Sequence, residues 1–135
     1  MAKSNERFLH GEHNEQACDL LYLNGKFPDW TITTAFYSSL HFVTYKIFPF
    51  NHKEGQKILK IDNLEQWQQY KSYTVTKRHE LLKDLVAIHC VNVFPEYEWL
   101  LGLSMTARYH RFQHDKLIVD KAVRLMKQIK KACKP

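Results

Sequence analysis

Residues 28 to 49, PDWTITTAFYSSLHFVTYKIFP, constrain the fold more than any other stretch, because a helix through them is apolar on two sides. Asp29 is placed to cap this helix by accepting its first free amides. Pro49 stops it. At about 100° per residue, Ile32, Phe36, Leu40, Val43 and Ile47 fall within about 80° of one another and form a core stripe. Tyr37, His41, Tyr45 and Phe48 lie on the other side. A helix apolar on both sides is either central in its bundle or pressed against a second subunit.

The remaining segments are also helical in pattern. A first helix is expected from about Asn5 to Leu23, ending at Asn24-Gly25, where glycine adopts the left-handed conformation at little cost. Residues 49 to 73 are polar and irregular, with LEQWQQY (64 to 70) as a short helix beneath which Trp67 docks. A third long helix is expected over Thr76 to Phe94, closed by Pro95. Pro95 also suits the first turn of a fourth helix ending near Tyr109. The last helix starts after Asp115, a plausible N-cap, and its Lys130, Lys131 and Lys134 suit the negative end of the helix dipole. No hairpin signal interrupts the series. With no repeat or Ser/Gly-rich linker, the expectation is one domain over residues 1–135, an all-α, up-and-down bundle of four to five helices.

The composition agrees with helices. Among 135 residues, Gly and Pro number only four each while aromatics reach 13%, which excludes a collagen-like or disordered chain. The net charge of +6, with histidines neutral, suits an anionic partner such as nucleic acid, nucleotide or phosphorylated protein, or else serves solubility. Cys18, Cys90 and Cys133 are odd in number and contain no CxxC pair, arguing against a disulfide framework and a cysteine zinc site. No run reaches the ~18 apolar residues of a membrane span, and MAKSNERF lacks the apolar region of a secretory leader. A soluble cytoplasmic protein with no membrane partner is expected.

Two arginines fall where lysines do not. The helical period sets Arg78 between Leu81, Leu82, Leu85 and His89, and puts Arg108 in line with Tyr97, Leu101 and Ser104. A guanidinium turned inward must meet a carboxylate, backbone carbonyls or an anionic ligand. The internal acids available are Glu15, Asp19 and Glu80. Antiparallel neighbours would bring His41, Arg78 and Arg108 to one mouth, with His79, Tyr109, His110 and His114 nearby. Such a cluster could hold a phosphate, since guanidinium groups donate paired hydrogen bonds to its oxygens and a histidine exchanges a proton. His10 and His13, and His110 and His114, have spacings that two metal ligands could use, but a third ligand is missing, and no metal or cofactor is expected. The serine-hydrolase elbow, phosphate-binding loop, dinucleotide fingerprint and zinc-protease motifs are all absent.

The pair His13-Asn14, the run PDWTITTAFYSSLH (Pro28 to His41), Arg78 at the opening of a long helix and LSMTARY (Leu103 to Tyr109) together resemble the HEPN-like bacterial helical-bundle family across nearly the whole chain. Its most specific part is DW, five residues, FY and then a His four after the Tyr, with S-x-x-ARY. The resemblance implies a bundle of four or five helices, often dimeric, in a superfamily of metal-independent ribonucleases and non-catalytic nucleotide-binding or partner-binding proteins. In catalytic members an Arg, usually followed by a polar residue, precedes a His by four to six positions. Here Arg78-His79 supplies the Arg and the polar residue, Lys83 stands fifth after Arg78, and Val75 occupies a position that is His in many close relatives. RYHRFQH, from Arg108 to His114, has five residues between its Arg and its final His.

Three functions are therefore expected as alternatives. The first is binding of a phosphate-bearing ligand, nucleotide or RNA, by His41, Arg78 and Arg108 with Tyr37, His13, Asn14 and Tyr109. The second is a homodimerisation or protein-partner module of a toxin or defence system, using the Tyr37 to Phe48 face. The third is a metal-independent endoribonuclease with His79 or His114 as general base.

Overall fold

The computed structural model describes residues 3–71 and 78–135. Among them are six helices: α1 (Glu6–Asn24), α2 (Pro28–Ile47), α3 (Leu64–Lys71), α4 (Arg78–His89), α5 (Phe94–Tyr109) and α6 (Lys116–Cys133). Two short strands, β1 (Phe50–Glu54) and β2 (Lys57–Ile61), lie between α2 and α3. The architecture is a mostly helical bundle. The start expected for the third long helix at Thr76, and Val75 beside it, fall outside the described residues.

Helix α2 is the axis of the bundle and packs against α1, α4, α5 and α6. Ile32, Phe36, Val43 and Ile47 of its first stripe are buried, and so are Tyr45 and Phe48 on the opposite side. The first stripe and the C-terminal half of the second are thus covered within the chain, while Tyr37 and His41 stay half-buried. Its start differs from expectation: Pro28 is its first residue, Phe27 precedes it, and Asp29 sits inside the first turn, where its charge faces the positive helix end without capping it. Asp115 does cap α6, its Oδ1 accepting the Leu117 N–H at 3.2 Å. Helix α1 ends as read, with Gly25 at φ 77° and its N–H bonded to the Leu21 carbonyl.

Close approach fixes α1 on α2. Gly11 leaves room for the Phe42 ring, and the Ser38 hydroxyl donates to the Gly11 carbonyl at 2.7 Å. A Cβ at Gly11 would lie 2.5 Å from Phe42 Cε1. On the far side of α1, Glu15 accepts from Lys127 at 2.7 Å and from Lys130 at 2.8 Å, tying α1 to α6. Asp19 also accepts from Lys127, at 3.0 Å.

Two elements correct the sequence expectation. The polar stretch after Pro49 contains an antiparallel hairpin, pairing Phe50 with Ile61 and His52 with Leu59 around Glu54-Gly55-Gln56-Lys57, where irregular chain is expected. Gly55, at φ 62°, supplies the positive φ that a two-residue hairpin turn requires. The inner face of the hairpin rests on Trp67, with Phe50 at 5.3 Å and His52 at 5.1 Å between ring centroids. That tryptophan is buried on α3, as expected. Helix α3 itself is started by Asn63, whose side chain accepts the Gln66 N–H while the Gln66 side chain accepts from Asp62 N–H, a reciprocal cap. The second correction is that α4 ends at His89, not at Phe94. Cys90 leaves the helical region, at φ −131° and ψ 45°, and a single 3-10 turn over Val91–Val93 leads into α5, with Pro95 in its first turn.

Candidate anion-binding cleft

A cleft of about 560 Å³ opens between the start of α1, the middle of α2, the start of α3 and the start of α4. The spacing of α2 places Tyr37, His41 and Thr44 along its floor, one helical turn apart. Helix α1 contributes Glu6, Arg7 and His10, and α4 contributes Arg78 and His79. Four residues expected to work together, Tyr37, His41, Arg78 and His79, therefore line one cavity.

Packing sets the protonation of the imidazoles. His41 stacks on His10 with ring centroids 3.7 Å apart. Burial lowers its pKa to about 4, and the neighbouring His10 pushes in the same direction. His79 is also lowered, first by burial and then by the guanidinium groups of Arg108 and Arg78. Both rings are neutral near pH 7. The permanent charges on the cleft wall nearly cancel, Arg7 and Arg78 standing against Glu6 and Glu65. An anion entering the cleft would favour the protonated imidazoles, so uptake of a proton would accompany its binding.

The two arginines differ from the picture of free, inward cations. Arg78 is half exposed, its side chain 42% accessible, and it donates to Glu65 Oε1 at 3.2 Å. The carboxylate that meets it is on α3, whereas Glu15 and Asp19 belong to the α6 lysines. Arg108 is half buried behind Tyr37 and does not line the cleft. Its Nη1 donates to the Tyr37 hydroxyl at 2.6 Å and its Nε to the Ser104 carbonyl at 3.3 Å. The rings of Phe36, Tyr37 and Tyr109 lie 5.2 to 5.7 Å from the guanidinium carbon. Arg108 thus positions Tyr37 at the cleft and adds positive potential beside His79.

The other expected residues lie apart from the cleft. His13 is exposed and Asn14 half buried on α1, and neither is on the cleft wall. Tyr109 covers Arg108 from the solvent side. His114 accompanies Tyr22, Pro28 and Lys116 on a second cavity of about 180 Å³, with a ring nitrogen 2.8 Å from the Arg111 carbonyl. Among the described residues no three His, Cys, Asp or Glu side chains are grouped to hold a metal ion.

Arg7 is the cationic cleft residue that the sequence analysis did not single out, as it did not Glu6, Thr44 or Glu65. It donates to the Asp62 carbonyl at 2.9 Å and lies over the Phe48 ring. Its spacing to His10, three residues on, places both on one face of α1 and was the available signal. Comparison with known protein families, with curated proteins and with solved structures finds no match to this chain.

Proposed function

We propose that this chain is a HEPN-like helical domain whose cleft binds a phosphate-bearing ligand, nucleotide or RNA, without strong catalysis. The observation that carries this reading is the convergence of Arg7, Arg78, His41, His79 and Tyr37 on a single cavity. Arg78 is available to a ligand because its partner Glu65 is 64% exposed. An ion pair so open to water is worth only ~0.2–1 kcal/mol. A phosphate that accepts two hydrogen bonds from the same guanidinium competes well with it. The aromatic wall at Tyr37 and the stacked His10–His41 pair suit a base or ribose beside the phosphate. The HEPN resemblance points to the same place, since its helix-opening Arg is Arg78.

The test is equilibrium binding of a short oligoribonucleotide and of a mononucleotide across a salt series. Affinity should fall steeply with salt as phosphate contacts release counterions. The Arg7→Ala, Arg78→Ala double variant should weaken it at least ~10-fold, corresponding to ~1.4 kcal/mol. Arg108→Ala should weaken it less, acting through Tyr37. Binding that ignores both salt and the double variant would overturn the proposal.

A second reading, a protein-partner or homodimer module, is favoured by a different observation. Leu20, Leu23, Phe27 and Trp30 gather around the α1–α2 turn, with Leu23 87% and Trp30 56% exposed. Apolar groups this open, close together, mark contact surfaces. Light scattering at high concentration tests it: a dimer that Leu23→Asp with Trp30→Glu dissociates supports this reading, and a monomer removes the homodimer.

A further inference from the structure

Cys90 and Cys133 are 43 residues apart in sequence, yet they meet at one point of the fold. Cys90 is the joint between α4 and the 3-10 turn, and Cys133 is the last residue of α6. Both line a small cavity of about 100 Å³ together with Lys46 and His89. Both are thiols, 7% and 1% exposed, on the wall of that one cavity and close enough for each to perturb the other's titration. We propose that Cys90 and Cys133 are an oxidisable dithiol that closes to a disulfide when a small hydroperoxide enters this cavity.

The two sulfurs have different roles. The hydrogen bond from the Cys133 thiol favours the thiolate of Cys90, burial opposes it, and the ammonium groups of Lys46 and Lys3 add to the lowering. Cys133 is held protonated, first by that same hydrogen bond and then by burial. Cys90, the more exposed of the two and on the cavity wall with Lys46, is the attacking thiolate, and Cys133 is the resolving thiol. The Cys90 sulfur attacks the terminal oxygen of the hydroperoxide. An S–O bond forms, the O–O bond breaks, and the departing oxygen takes the proton Cys90 gave up and leaves as an alcohol, or as water from hydrogen peroxide. Cys133 then attacks the Cys90 sulfenic sulfur. An S–S bond forms, the S–O bond breaks, and the hydroxyl leaves as water with the Cys133 proton. Two thiols are oxidised by two electrons and one peroxide is reduced.

Cys18 is the internal control. It is fully buried on α1, against the Thr31 carbonyl, and burial raises its pKa to about 11. Cys18 does not line the cavity that Cys90 and Cys133 share, so a peroxide entering there does not reach it. The experiment exposes the reduced full chain to hydrogen peroxide, alkylates remaining thiols under denaturing conditions and maps peptides by mass. The expected result is a loss of ~2 Da, two hydrogens, on a peptide pair joined through Cys90 and Cys133, reversed by dithiothreitol, with Cys18 alkylated. Cys133→Ser should leave Cys90 as a sulfenic acid that dimedone traps, and Cys90→Ser should leave Cys133 reduced. Met105, 40% exposed, reports that oxidant reached the protein. If Met105 becomes the sulfoxide while Cys90 and Cys133 remain fully alkylatable, or if either joins Cys18 or another chain instead, the proposal is overturned.

Discussion

His41 and His79 give the cleft its expected pH response. Their imidazoles are neutral near pH 7 because burial and adjacent cationic or imidazole groups disfavour the proton. A bound phosphodiester, whose own charge is constant over this range, would favour protonation. The complex would then hold more protons than the free protein, and linkage makes affinity rise as pH falls through the ordinary imidazole value of 6.5 toward the lowered value of about 4 for His41. Titration calorimetry in buffers of differing ionisation enthalpy should detect that proton uptake, and His41→Phe should reduce it. Affinity that is flat with pH would contradict a role for the imidazoles. Stability moves in the opposite direction. His41 binds a proton below its ordinary value of 6.5 when unfolded but only below about 4 when folded, so the unfolded state holds the extra proton in between. Folding stability should therefore be full above pH 6.5 and decline as pH falls toward 4, and His41→Leu should flatten part of that decline in denaturant melts.

At the scale of elements, the α1–α2 contact decides which residues share the cleft. Gly11 lets α1 approach until Ser38 reaches its carbonyl, and this register brings Arg7 and His10 alongside His41. Gly11→Ala adds helix propensity worth ~1 kcal/mol, yet its methyl would meet the Phe42 ring at 2.5 Å. Overpacking of this kind costs ~1–3 kcal/mol, so chemical denaturation should show a net loss and His10 should shift relative to His41. Glu15 acts on the opposite side of α1. Burial raises its pKa, but hydrogen bonds from Lys127 and Lys130 more than offset this, leaving it lowered overall. Its contribution to stability is present above the ordinary carboxylate value of 4.5 and is lost as pH falls below it. Glu15→Gln should destabilise by ~1–3 kcal/mol at pH 7 and by less at pH 3.

These elements also show what could be read from sequence. The helical period exposed both stripes of α2, and turn chemistry marked the C-terminal end of α1 and the cap of α6, because each signal is local. The hairpin was concealed because its inward strand face carries His52 where an apolar residue would signal a strand. Trp67 and Tyr70 of α3 complete that face, and no local pattern announces them. The break at Cys90 has no glycine or proline to mark it; it leads into the 3-10 turn over Val91–Val93, which packs on α5 and α6. The contribution of α1 to the cleft was equally hidden, since the spacing of Arg7 and His10 gains meaning only once α1 is laid antiparallel on α2.

For the molecule as a whole, the proposed binding need not carry cleavage with it. No described helix is long and apolar enough to cross a membrane, and the net charge of +6 favours anions at long range. Cleaving an RNA phosphodiester without a metal ion would need a general base, an acid for the leaving oxygen and a cation directed at the developing charge. His79, held neutral, has the protonation state of a base. Of the cations, Arg108 is held by Tyr37 and Ser104 behind the cleft wall, which leaves Arg78, only loosely paired with Glu65, to hold the ligand. His114, the other imidazole considered for this chemistry, lies on a different cavity. A cleft so arranged should bind RNA and release it unchanged. Incubation of excess protein with labelled RNA in EDTA should leave full-length RNA on a denaturing gel, for the native chain and His79→Ala alike. Cleavage by the native chain that His79→Ala abolishes would turn the binding domain into a ribonuclease, with Arg78 leaving Glu65 for the scissile phosphate.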